Sequence, residues 1–94
     1  MPEAVAGQLR GIIYRLMLPG ILGPKDESKC SILLRQAGNG TLPSLAELTE
    51  LKWLLERSVN HPRIKRSAFT HDLMQADLKA LVRIQNEVVD VRNV

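Results

Sequence analysis

SLAELTELKWLLERSVN, residues 44–60, is the stretch of sequence that decides the fold. Ser44 followed three positions later by Glu47 matches the capping box, in which both side chains bond to free backbone N–H groups at the start of a helix. Apolar residues then recur at intervals of three and four, the spacing of one helical face. They are Leu45, Leu48, Leu51, Leu55 and Val59. Because Pro62 disfavours the helical conformation at the residue before it, we expect this helix to end near residue 60.

Three further segments have helical spacing, and no segment shows the alternating pattern of a strand. They span residues 3–18, 26–37 and 67–92. Pro19 and Gly20 end the first of these helices, and Gly38 ends the second. The last helix can begin at Ser67 or at Thr70, since either hydroxyl can accept a bond from a free N–H. The sequence therefore predicts an all-α fold, a small bundle of about four helices that forms one domain over residues 1–94.

The composition removes several ways of stabilising so small a chain. A protein of 94 residues buries only about two-thirds of its unfolded surface. Its one cysteine, Cys30, cannot form an internal disulfide, and no spacing of Cys and His is typical of a zinc site. We expect neither a metal nor a cofactor. Self-association is the remaining way to bury more surface.

Charged residues interrupt the apolar N-terminal stretch, which is therefore unlike a signal peptide. No segment approaches the ~20 apolar residues that cross a bilayer. The sequence thus predicts an intracellular, cytoplasmic protein without a membrane partner. We also expect no enzymatic activity, because Cys30 lies on an apolar helix face and neither His61 nor His71 has an obvious orienting carboxylate. No carboxylate pair lies in an apolar setting that would separate their pKa values.

Positive charge is concentrated between Arg57 and His71, a stretch that contains no acidic residue. Its four basic residues are Arg57, Arg63, Lys65 and Arg66. Removing these four charges from the net charge of +3 leaves −1 for the rest of the chain. One interpretation is a solvated linker whose cations answer the negative end of a helix dipole. The other is a nucleic-acid site that contacts duplex phosphates with little sequence preference. Since no aromatic residues alternate with these cations, a platform for stacking single strands is disfavoured.

Two apolar features suggest a protein partner instead. On the last helix the apolar arc covers nearly 200°, although about 100° suffices for one packed side. Residues on this arc keep the 3-4-3 spacing of a helix zipper and predict a homodimer interface. They are Leu81, Ile84, Val88 and Val91. The alternative is a central helix that the other three surround.

Trp53 lies on the polar side of its helix. Either another part of the chain covers it or it anchors a partner. The second functional hypothesis is therefore a protein–protein interaction module, such as an adaptor, an inhibitor or a secretion chaperone.

Overall fold

The computed structural model describes the backbone of residues 3–92 and the side chains of residues 3–89. Within these residues it contains five α-helices and no strand, which confirms the predicted all-α class. The helices are α1 (Glu3–Met17), α2 (Pro24–Gly38), α3 (Leu45–Val59), α4 (Pro62–Lys65) and α5 (Ala68–Arg92). Each of the four predicted helices agrees with an observed one to within two residues at both ends. The additional helix, α4, is a single turn.

The chain divides into two compact units, Met1–Ser44 and Leu45–Val94. In the first unit α1 packs against α2. The buried residues of α1 recur at helical spacing, and a shorter buried set lies on α2. They are Ala6, Leu9, Ile12, Ile13 and Leu16 on α1, with Cys30, Leu33 and Ala37 on α2. The loops that follow the two helices each contain a glycine with positive φ, Gly20 at 69° and Gly40 at 76°. The single domain over residues 1–94 stays a prediction.

In the second unit α3, α4 and α5 pack against one another. Leucine and other non-aromatic side chains supply its buried apolar residues, because the chain has only three aromatic residues. They are Leu48, Leu51, Leu54, Leu55 and Val59 on α3, Ile64 on α4, and Met74, Leu81, Ile84 and Val88 on α5. A hydrogen bond between side chains joins α5 to α3: Gln85 Nε2 donates to Thr49 Oγ1 at 2.9 Å. The Thr49 hydroxyl in turn donates to the Leu45 carbonyl at 2.9 Å.

None of the helices in the part of the chain that the structure describes is both long enough and apolar enough to cross a membrane.

Candidate nucleic-acid interface

The positive stretch folds as an ordered turn of helix. His61 has an extended backbone (φ −67°, ψ 137°) and its Nδ1 accepts a hydrogen bond from the Arg63 N–H at 3.1 Å. Pro62 occupies the first turn of α4. Proline has no backbone N–H, and at this position an N–H would have no partner within the helix, so no hydrogen bond is lost. At the other end the Arg66 N–H donates to the Pro62 carbonyl at 3.2 Å. The interpretation of this stretch as a solvated linker did not predict a helix here.

Ile64 attaches α4 to the second unit. Only 2% of Ile64 is exposed, whereas Pro62, Arg63 and Lys65, the other residues of α4, are exposed, as is Arg66. At 100° per residue, Arg63 and Lys65 lie 100° to either side of Ile64, and Arg66 lies about 160° from it. Burial of the one apolar side chain therefore directs the three cations into solvent.

Arg57 extends this surface onto α3. It is exposed in the last turn of the helix, whereas its neighbours Ser58 and Val59 are buried. A tight turn follows, in which the Asn60 N–H donates to the Arg57 carbonyl at 3.2 Å. The structure thus places all four predicted cations, exposed, in one unit: Arg57 on α3, Arg63 and Lys65 on α4, and Arg66 at the C-terminal cap of α4. Below, Arg57, Arg63, Lys65 and Arg66 are called the basic corner.

The two acidic residues that flank the basic corner in sequence lie near other groups. Glu56 Oε1 is 3.8 Å from Lys52 Nζ, one turn earlier on α3. The Asp72 carboxylate is 3.9 Å from His71 Nδ1, and its side chain is largely exposed. Between these two carboxylates the sequence has only neutral and basic side chains, counting histidine as neutral.

Phe69 lies three residues after Arg66, the last cation of the basic corner, and was not among the residues predicted to form a site. The Thr70 N–H donates to Ser67 Oγ at 3.3 Å, so Ser67 caps α5 and Phe69 belongs to its first turn. Of the large hydrophobic side chains that the structure describes, Phe69 is the most exposed, at 79%. With Ser67 as the cap, the sequence alone places Phe69 on the helix, about 140° from Met74 and away from the buried face.

The apolar arc of α5 is largely occupied within one copy of the chain. Leu81, Ile84 and Val88 are all less than 5% exposed. These three residues therefore belong to the core of a single chain and leave no free surface for a second copy. Their 3-4-3 spacing is that of any packed helix face and does not distinguish a core from a dimer interface. The side chain of Val91 lies outside the described residues. Among the described side chains, the large apolar residues that α5 exposes after Phe69 are Leu73, Val82 and Val89, each at 37%.

Trp53 is 57% exposed, so more than half of it remains accessible to a partner. Tyr14 is exposed to the same extent. With Phe69, this means that all three aromatic residues of the protein are on the surface.

Cys30 is fully buried on α2. Burial first, and then the negative charges of Asp26 and Glu27, raise the pKa of its thiol to about 11. A neutral thiol is a poor nucleophile, so this environment is unlike that of a catalytic cysteine. Among the described residues, no three His, Cys, Asp or Glu side chains are grouped so that they could hold a metal ion.

Comparison of the chain with models of known protein families, with curated proteins and with solved structures found no match. The chemistry of the basic corner must therefore be inferred from its own residues.

Proposed function

We propose that the protein binds nucleic acid without enzymatic activity and that the basic corner contacts backbone phosphates. The observation that supports this most directly is the arrangement around Ile64. Its burial holds α4 in place, while Arg63, Lys65 and Arg66 are exposed around it. A flexible linker needs no buried anchor. Each guanidinium group can donate two parallel hydrogen bonds to the oxygens of one phosphate, and the lysine adds a point charge.

Such contacts hold the backbone but do not identify bases. Phosphate contacts set the position of a protein on a duplex and carry no direct sequence information. Bases are usually read by a helix or ribbon inserted in the major groove, and the four residues of α4 are too few for such a helix. We therefore propose binding to duplex backbone with little sequence preference.

Salt dependence tests this proposal. Four phosphate contacts give a slope of about −3.6 for log affinity against log salt on duplex DNA. We expect Arg63→Ala, Lys65→Ala and Arg66→Ala each to reduce the steepness of that slope by about 0.9. Lys25→Ala removes one charge from exposed surface in the first unit and is the matched control.

Fluorescence anisotropy with labelled DNA and RNA duplexes, between about 50 and 200 mM salt, measures these slopes. Absence of binding at the lower salt would overturn the proposal. It would also be overturned if a variant with alanine at Arg63, Lys65 and Arg66 together bound the duplexes as tightly as wild type does.

The exposure of Trp53 favours a second candidate, the protein–protein interaction module. Tryptophan is enriched among the residues that dominate binding energy at interfaces, and most of this side chain is accessible. A photo-crosslinking amino acid at Ala46, an exposed position two turns before Trp53 on the same side of α3, should then give one adduct of defined mass with a partner protein. Unlabelled wild type should compete for that adduct, and Trp53→Ala should not. Unchanged competition by Trp53→Ala would contradict this candidate.

We propose the homodimer separately from either function. Because Leu81, Ile84 and Val88 are buried in one copy, a second copy that packs on α5 would contact its exposed side, where Val82 and Val89 lie. A dimer with twofold symmetry would double the basic corner and lengthen its contact with a duplex. Sedimentation equilibrium measures the mass, and a 10.5 kDa species at high protein concentration would exclude the dimer.

A further inference from the structure

We infer that Phe69 stacks on an unpaired nucleobase, so that the partner of the basic corner is nucleic acid with unpaired bases. This inference rests on the phosphate contacts of the proposed function, and it replaces the fully paired duplex proposed there with nucleic acid that has unpaired bases. The lack of aromatic residues among the cations led to the opposite expectation, a fully paired duplex. The structure adds an aromatic ring beside the corner, because Ser67 starts α5 early enough to include Phe69 in its first turn.

Phe69 is held close to the basic corner by a short, hydrogen-bonded segment. The Ser67 N–H donates to the Ile64 carbonyl at 3.2 Å, and the His71 N–H donates to the Ser67 carbonyl at 2.9 Å. Phe69 follows Arg66 by three residues, so their Cα atoms are at most about 11 Å apart. A cation that holds the backbone and a nearby aromatic ring that accepts a base are the two parts of sites for single-stranded nucleic acid.

The surroundings of the ring favour a nucleobase over a lipid surface or an apolar protein face. On the same side of α5, Leu73 is exposed by only 37% and Ala76 offers a single methyl group. A helix that lies on a membrane presents a wide apolar face, and this stripe is narrow. Nearby on the chain are the exposed cations Lys65 and Arg66, which favour an anionic partner. One exposed ring a few residues from these cations is the arrangement needed to stack one base while the cations contact its phosphates.

A paired base cannot reach this ring. In a duplex the faces of the bases are stacked on their neighbours, whereas bases in loops, bulges and single strands can stack on aromatic side chains. We therefore expect Phe69 to contribute to binding only where the nucleic acid has unpaired bases. Loss of one stacked base weakens binding by about 5- to 150-fold.

The test compares ligands and variants at one low salt concentration. The ligands are a labelled single strand of about 12 nucleotides, the fully paired duplex of the same sequence, a duplex that contains a bulge, and vesicles that contain anionic lipid. The variants are Phe69→Ala and Phe69→Leu, the second of which keeps an apolar side chain without a ring. Tyr14→Ala, which removes an exposed ring from the first unit, is the control. Circular dichroism checks that the variants fold, as the exposure of Phe69 leads us to expect.

Wild type should bind the single strand and the bulged duplex more tightly than the paired duplex. Phe69→Ala should lose about 5- to 150-fold on the two ligands with unpaired bases and should bind the paired duplex as wild type does. Phe69→Leu should lose most of the same affinity, and Tyr14→Ala should lose none.

Three other results are informative. If Phe69→Ala binds all ligands as wild type does, while alanine at Arg63, Lys65 and Arg66 weakens them, the stacking inference is wrong and the proposed function stands. If wild type binds none of the ligands, the proposed function is wrong. If it binds only vesicles with anionic lipid, and Phe69→Ala abolishes this, the ring inserts into a membrane and both proposals are wrong.

Discussion

Ile64→Ala tests whether one buried side chain holds the basic corner in place. Within residues 62–65, Ile64 is the only buried residue. A single helical turn is not stable by itself, and the His61 cap contributes only about 1 kcal/mol. Truncation of a buried isoleucine to alanine costs about 2–5 kcal/mol. The total stability of a 94-residue chain is roughly 5–14 kcal/mol. We expect a loss of about 3 kcal/mol, a large part of the total.

Denaturant unfolding followed by circular dichroism measures this loss. Ile64→Val, which removes one methylene group, should cost about 0.5–1.5 kcal/mol. Lys65→Ala changes the neighbouring exposed side chain and should alter the free energy of unfolding by less than about 0.5 kcal/mol. The reasoning is refuted if Ile64→Ala costs no more than Lys65→Ala. Because Ile64 carries no charge, weaker phosphate binding by a folded Ile64→Ala protein would show that it positions the cations.

Three further predictions concern other parts of the chain. A pKa of about 11 means that the Cys30 thiol should resist alkylation at pH 8 until the protein is unfolded. The folded state favours the neutral thiol. The contribution of Cys30 to the free energy of unfolding is therefore complete below pH 9 and is lost as the pH rises towards 11. The free energy of unfolding should therefore fall by about 2 kcal/mol more across that range in wild type than in Cys30→Ala; equal falls would contradict the shift. Gly40→Ala should cost about 1 kcal/mol because its φ is 76°, whereas Gly38→Ala, inside α2, should be neutral or stabilising in thermal melts. The reverse order would count against the turn geometry. A double-mutant cycle of Thr49→Val and Gln85→Ala should give a coupling of about 1 kcal/mol, and a value near zero would mean that their hydrogen bond is absent.

The long helices could be predicted because their signals are local. Ser44 and Glu47 precede a leucine stripe, and α3 begins at Leu45, directly after the predicted cap. By contrast, α4 has four residues, too few to show any period. Its one apolar residue, Ile64, lies among polar residues in sequence and resembles part of a solvated linker. Its burial is decided by the contacts of α4 with α3 and α5, which no local pattern reveals.

The predicted dimer seam shows a different limit of sequence patterns. Spacing of 3-4-3 identifies which side of a helix is apolar, but it does not identify what covers that side. Leu81, Ile84 and Val88 have this spacing and are buried in one copy, where α5 packs on α3 and α4. Trp53, which does not fit the leucine stripe of α3, was correctly placed on its polar side. Angular position was therefore predictable, and the packing partner was not.

The choice of cap on α5 has the largest consequence for the functional hypothesis. With Thr70 as the cap, Phe69 precedes the helix and its direction is undetermined. With Ser67 as the cap, Phe69 lies in the first turn, about 140° from the buried Met74, and must face solvent. Each start has one hydroxyl acceptor, and the preference for Ser over Thr at the cap is too small to decide between the two from sequence. This small local difference decides whether the basic corner has an aromatic neighbour. It therefore also decides whether the expected ligand is a paired duplex or nucleic acid with unpaired bases.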